Sequence, residues 1–173
     1  MGCFWGAEKR MAALPGVVDV VSGYAGGNYE NPSYRKLFAS EGRDGVRNHA
    51  EVVRVNFDPK ETSIRQILAG FWENHDPTQG DRQGNDVGSN YRSAIYYASP
   101  EQRNAALMSL DAYQGVLTAA GYGKITTEIA ALEIFHPAED DHQDYLAKNP
   151  NGYCGLGGTG VKFPGQLQGS VAR

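Results

Sequence analysis

Two cysteines stand out for the chemistry they could do: Cys3 in Gly2-Cys3-Phe4-Trp5-Gly6 and Cys154 in Gly152-Tyr153-Cys154-Gly155. Cys3 lies just ahead of a run of helix formers. A thiol at the start of a helix meets unpaired amides and the positive end of the helix dipole, which favour the thiolate. The expectation is therefore a nucleophile with a lowered pKa, ionised at rest. Glycines on both sides let backbone approach a ligand closely, and Phe4 and Trp5 offer an apolar wall suited to a methyl group. The alternative reading is a buried thiol packed as a small hydrophobe, which the flanking glycines fit poorly. Cys154 lies in a stretch with seven glycines between Gly152 and Gly169, a tail that reads as mobile and able to swing toward Cys3.

The elements that must position these groups follow from pattern and punctuation. Residues 6–14 predict a helix ended by Pro15-Gly16. Residues 17–24 and 51–57 have strand composition, the second closed by Asp58-Pro59. Residues 26–45 and 75–90 read as long polar loops, and the second is too long to be idle. Ile64, Ile67, Leu68, Phe71 and Trp72 recur at helical spacing behind Thr62 or Ser63 as cap. A short strand over 93–98 leads into Ser99-Pro100-Glu101-Gln102, which has a cap, an N-terminal proline and a capping-box glutamine. The helix it opens predicts an end near residue 120. A strand over 126–135 and a short acidic-to-basic helix over 138–146 precede an irregular tail from 150 to 173. The order implies one α+β domain over residues 1–173, with helices packed on a mixed sheet.

Bulk properties narrow the function classes. A net charge of −4 argues against nucleic acid as a partner, because phosphate binding needs clustered Lys and Arg. No apolar run reaches the roughly 20 residues of a membrane span. Two cysteines so far apart are no secreted disulfide framework. With no export signal visible, the expectation is a cytoplasmic monomer.

These residues resemble the peptide methionine sulfoxide reductase A family. The resemblance runs in order through Gly2-Cys3-Phe4-Trp5-Gly6, Ser22-Gly23-Tyr24-Ala25-Gly26-Gly27, Asn31-Pro32-Ser33-Tyr34 and His49-Ala50-Glu51-Val52-Val53-Arg54-Val55. It continues through Phe71 to Gln79, Arg82 to Ser93, Thr126-Thr127-Glu128-Ile129, Ala138 to Gln143, and Lys148-Asn149-Pro150-Asn151-Gly152-Tyr153-Cys154. It implies a two-layer ferredoxin-like sandwich and reduction of the S epimer of methionine sulfoxide, free or in proteins, without cofactor or metal. By the resemblance, Cys3 attacks the sulfoxide sulfur and Glu51 protonates the oxygen, which requires burial to raise its pKa. Tyr34 and Tyr91 hydrogen-bond that oxygen, Asp86 positions substrate, and Phe4 with Trp5 takes the methyl. The Cys3 sulfenic acid is then resolved by Cys154 as a disulfide, which thioredoxin reduces by exchange.

Taken singly, each of these residues has a plainer reading. Glu51 could be a solvated strand end, Tyr34 and Tyr91 amphipathic edge residues, and Asp86 turn chemistry. The ordered set carries the assignment. Two departures stand out: only Met1 and Gly2 precede Cys3, where the family has a short apolar strand, and Asn90 replaces an expected glutamine. Rival readings are a Cys–His hydrolase with His49 serving Cys3, a metal site around His136, Asp140, Asp141 and His142, and a redox-sensing module without turnover.

Overall fold

A computed structural model of the protein describes residues 1–165. Helix α1 (Phe4–Ala12) buries Phe4, Ala7, Glu8 and Met11, the one-sided spacing of an amphipathic helix. Strand β1 (Val17–Ala25) follows and pairs antiparallel with β2 (Ala50–Phe57), in register from Ala25↔Ala50 to Val17↔Phe57 with one irregularity between Val17 and Asp19. On its other edge β1 meets β7 (His136–Pro137), through Gly23↔Pro137 and Tyr24↔His136.

A second unit pairs β5 (Ala94–Tyr97) in parallel with β6 (Glu128–Ala131), joined by the 20-residue α4 (Pro100–Ala119) as a crossover. Helix α3 (Ile64–Glu73) packs on α4, and its Trp72 Nε1 donates to Ser109 Oγ at 2.8 Å. The main core gathers Met11, Ile67, Leu68, Phe71, Trp72, Tyr113, Leu117 and Phe163. The expectation of one mixed sheet is not met. Parallel and antiparallel pairing are both present but in separate small sheets. A cavity of about 380 Å3 is lined by Val53 and Val55 of β2 and by Ala94 and Ile95 of β5.

Local signals set most boundaries. Ser63 caps α3 in a reciprocal capping box with Gln66, and Ser99 accepts from Gln102 N at α4. The Gln102 side chain, however, accepts from Ala98 N rather than from its cap residue.

Both expected loops contain structure. Helix α2 (Tyr34–Ser40) sits in the first, capped by Ser33 and anchored by buried Leu37. The hairpin β3 (Arg82–Gln83) and β4 (Asp86–Val87) sits in the second. The strand expected over 126–135 ends at Ala131, after which the chain leaves to form β7. The helix expected over 138–146 is broken into a 3-10 turn at Asp140–His142 and a single turn α5 (Tyr145–Lys148). The break comes at Asp144, whose φ of +53° is left-handed. Just before it, Gln143 is pulled onto β1, accepting from Ser22 N at 2.9 Å and donating to Ser22 O at 2.9 Å.

The mobile tail is also corrected over the described residues. Leu156 and Phe163 are buried. Tyr113 Oη donates to Val161 O at 2.9 Å, Tyr122 Oη donates to Thr159 O at 3.1 Å, and Phe163 N donates to Glu73 Oε1 at 2.7 Å. Residues 166–173 of the tail lie outside the described residues.

Gly23 faces the chain entering β7 with no room for a side chain. A Cβ placed there would stand 2.5 Å from both His136 O and the Phe135 ring. Gly23→Ala is therefore expected to lower stability by about 1–3 kcal/mol through overpacking, read as a shifted denaturant midpoint with an unchanged slope.

Candidate active site

The site forms where α1 begins, β2 begins and the β3–β4 hairpin turns back. Glu51, opposite Tyr24 in the β1–β2 register, is 2% exposed. Its Oε2 accepts from Phe4 N at 3.0 Å and its Oε1 from Asn90 Nδ2 at 3.3 Å. A carboxyl shut away from water resists ionisation. Burial pushes the Glu51 pKa from 4.5 up to about 7, the charge of Asp86 adds to the rise, and the two hydrogen bonds restrain it. Asn90, the departure from the expected glutamine, thus still reaches the carboxyl.

Cys3 is the N-cap residue of α1, and its carbonyl accepts from Ala7 N at 3.2 Å. The helix amides do act on the sulfur, through Trp5 and Gly6, but they are outweighed. Burial and then the negative charge of Glu51 push the Cys3 thiol up from 9.0 to about 12. The expectation of a resting thiolate is therefore corrected: beside an ionised Glu51, Cys3 holds its proton. The glycines flanking it also have a different reason from the one expected. Gly2 has φ of +85°, and a Cβ there would fall 2.6 Å from the buried Gln83 side chain. Gly6 leaves room for the tail, since a Cβ there would stand 3.0 Å from Cys154 Sγ and 3.0 Å from Leu156 Cβ.

The phenols line the same space. Burial first, and Glu51 second, raise Tyr34 to about 12 and lift Tyr91 as well, so both remain hydroxyl donors. Tyr91 ends the 3-10 turn Ser89–Tyr91, which also delivers Asn90. Asp86 in β4 is raised by partial burial, against the pull of the Tyr153 hydroxyl.

Phe4 is fully buried, tilted on Tyr24 with centroids 5.7 Å apart, so it backs the wall rather than facing solvent. Trp5 is partly exposed, stacked on Tyr145 at 3.7 Å, and donates from Nε1 to His142 Nδ1 at 3.1 Å. Tyr34 packs against the same imidazole at 4.5 Å.

Sequence reading missed the support for this wall. Glu139 accepts from Tyr34 N at 2.9 Å and from Tyr24 Oη at 2.5 Å. His142 and Tyr145 hold Trp5. All three lie in the stretch taken for an acidic helix start, and nothing in their spacing signals partners more than a hundred residues away.

The rival sites do not form among the described residues. His49 has both ring nitrogens engaged, Nδ1 accepting from Gly27 N at 3.2 Å and Nε2 against Tyr29 O at 2.8 Å. It is spent on the loop and cannot serve Cys3 as a base. His75 is likewise held, by Phe71 O and Ser93 Oγ at 2.7 Å each. Among the described residues no group of three His, Cys, Asp or Glu side chains could hold a metal ion, and no helix among them is long and apolar enough to cross a membrane. Both cysteines are free, Cys3 buried and Cys154 exposed.

Known proteins resemble this chain in sequence and in fold. The family model for peptide methionine sulfoxide reductase matches residues 1–161. A peptide methionine sulfoxide reductase of Xanthomonas euvesicatoria is 58% identical over 165 residues, covering 95% of this chain and 74% of that protein. One from Pseudomonas putida is 55% identical over 170 residues, covering 98% and 74%. Among solved structures, methionine sulfoxide reductase A of Corynebacterium diphtheriae superposes with a TM-score of 0.77 at 45% identity, over 89% of this chain and 74% of that one. Mxr1 of Saccharomyces cerevisiae in reduced form gives 0.75 at 31% identity, over 88% and 84%. Its unusual oxidised form gives 0.59 at 32% identity, over 88% and 80%. The chain belongs to the peptide methionine sulfoxide reductase family.

Proposed function

We propose that the chain reduces the S epimer of methionine sulfoxide, free or in proteins, to methionine, and so repairs oxidised polypeptides. The observation that carries the mechanism is the buried Glu51 carboxyl, which accepts from Phe4 N at 3.0 Å at the very start of the helix that Cys3 caps, so that burial pushes its pKa up and its charge in turn holds the proton on the thiol. The two groups titrate as a pair. With a sulfoxide bound, the Cys3 proton passes to the Glu51 carboxylate and the sulfur attacks the sulfoxide sulfur. Glu51 then delivers that same proton to the departing oxygen, because unprotonated oxide is a very poor leaving group. The substrate S–O bond breaks, the hydroxide it releases bonds to the Cys3 sulfur, and the S–S bond between Cys3 and substrate breaks in the same exchange, so that Cys3 is left as sulfenic acid and methionine departs as the thioether. Atoms balance without an outside proton.

Tyr34 and Tyr91 donate to the sulfoxide oxygen, Asp86 orients the substrate backbone, and Trp5 over Phe4 takes the methyl. Cys154 then resolves the sulfenic acid and thioredoxin reduces the disulfide, a cycle suited to a reducing cytoplasm. The whole of residues 1–173 acts as one domain on a ferredoxin-like sandwich.

Cys154→Ser tests the resolving role. A pulse of methionine sulfoxide should still release about one methionine per enzyme, while turnover with thioredoxin falls by roughly a hundredfold or more. Full turnover in that variant would refute the assignment. The matching observation in the parent protein is a two-hydrogen mass loss with Cys3 linked to Cys154.

A further inference from the structure

The proposal here rests on the reading that Cys154 resolves Cys3, and concerns what holds Cys154 in place to do so. Cys154 is exposed, but Leu156, two residues on, is buried against Gly6 of α1. Arg10 stands one turn beyond Gly6 on the same helix face. Its Nη2 donates to Leu156 O at 2.5 Å and its Nη1 to Asn74 Oδ1 at 3.1 Å. Asn74 is itself fixed by donating to Gly70 O at 2.7 Å, which ties the guanidinium to the end of α3. Among the described residues, the Arg10 bond is the one hydrogen bond that reaches the backbone of residues 153–156.

We propose that Arg10 is a positioning residue for disulfide formation: by clasping the Leu156 carbonyl it holds the Cys154 sulfur over the first turn of α1, where the Cys3 sulfenic acid forms. A planar guanidinium braced on a second element fixes direction as well as distance, which a free tail cannot. In the step it serves, the Cys154 sulfur attacks the Cys3 sulfur, an S–S bond forms and the S–O bond breaks. The hydroxide leaves with the Cys154 proton as water. The sulfenic acid is the oxidant, so no outside oxidant is needed. Arg10 takes no part in the first half of the cycle, since it touches neither Glu51 nor the phenols.

The test is a single turnover with one equivalent of methionine sulfoxide, sampled by acid quench for methionine and by thiol alkylation with intact mass for the disulfide. In Arg10→Met, methionine release should stay within about twofold of the parent rate. Disulfide formation should slow by about tenfold or more, as expected for loss of a charge-assisted hydrogen bond. Arg10→Lys should recover to about threefold below the parent, its ammonium supplying a single point donor. An unchanged disulfide rate in Arg10→Met overturns the proposal, as does a parallel fall of both rates. Arg10→Gln gives the same readouts if the Met variant does not fold. A parent protein that forms no Cys3–Cys154 disulfide would instead overturn the resolving role of Cys154.

Discussion

Cys3→Ser is expected to abolish sulfoxide reduction, with a loss of at least about a thousandfold, while the folded state keeps its stability. A serine hydroxyl is a far weaker nucleophile than sulfur and has no oxidised form comparable to a sulfenic acid. The exchange hardly alters the packing around buried Cys3, and a serine hydroxyl at this N-cap position can accept from the same Trp5 and Gly6 amides that face the sulfur. Methionine release, measured with dithiothreitol in place of a protein reductant, reads the effect directly. Turnover above background in Cys3→Ser would remove the nucleophile assignment, because Cys154 is the only other thiol in the chain.

Glu51→Gln is expected to separate activity from stability. The productive state has one proton between Cys3 and Glu51, placed on the carboxyl as the sulfur attacks. That one-proton state fills as the pH rises through about 7, where Glu51 ionises, and lasts until the thiol itself gives way near 12. The parent rate should therefore climb through pH 7 to a plateau. A carboxamide cannot relay a proton, so the variant should lose this rise and fall behind by roughly a hundredfold at pH 8, and by less at pH 6.

Stability should move the other way. A carboxyl raised from 4.5 to about 7 on folding is bound to its proton more tightly in the native state, so stability is lost as pH rises across that interval. The substituted amide carries no such charge. At 1.36 kcal/mol per pH unit the variant should gain up to roughly 3 kcal/mol above pH 7. Denaturant titrations at pH 5 and pH 8 check the sign. A variant that keeps the pH–rate rise would argue against the relay.

What could be read in advance follows from how local the cause is. Ser63 and Gln66 cap one another within a single turn, so α3 was legible, as was α4 behind Ser99-Pro100. Helix α2 was hidden because Ser33 lies in a polar, glycine- and asparagine-rich stretch and Leu37 is its one buried apolar residue. The hairpin of Gln83 and Asp86 has only two residues per strand, too few for an alternating pattern to show. Asp144 broke a helix for a reason lying in β1, where the Gln143 amide is held.

At the site, Cys3, Glu51, Tyr34, Tyr91 and Asp86 were proposed from an ordered resemblance, and the structure places them close enough for their charges to act on one another. The protonation of Cys3 was misjudged because a helix terminus is written in sequence, whereas burial and a neighbouring carboxylate are not. Glu139 was overlooked for the same kind of reason, since its partners Tyr24 and Tyr34 come from β1 and α2.

The fastening of the chain on both sides of Cys154 has a quantitative consequence. Residues 150–155 run between the end of α5 at Lys148 and buried Leu156, and a tether that short spans only about 20 Å when extended. Its sulfur is thereby confined within roughly 10 Å of its anchors, an effective concentration on the order of a few tenths molar. On the proposed resolving role of Cys154, small thiols at millimolar levels should be outcompeted at the Cys3 sulfenic acid, and the Cys3–Cys154 disulfide rather than a mixed disulfide is the species expected to accumulate.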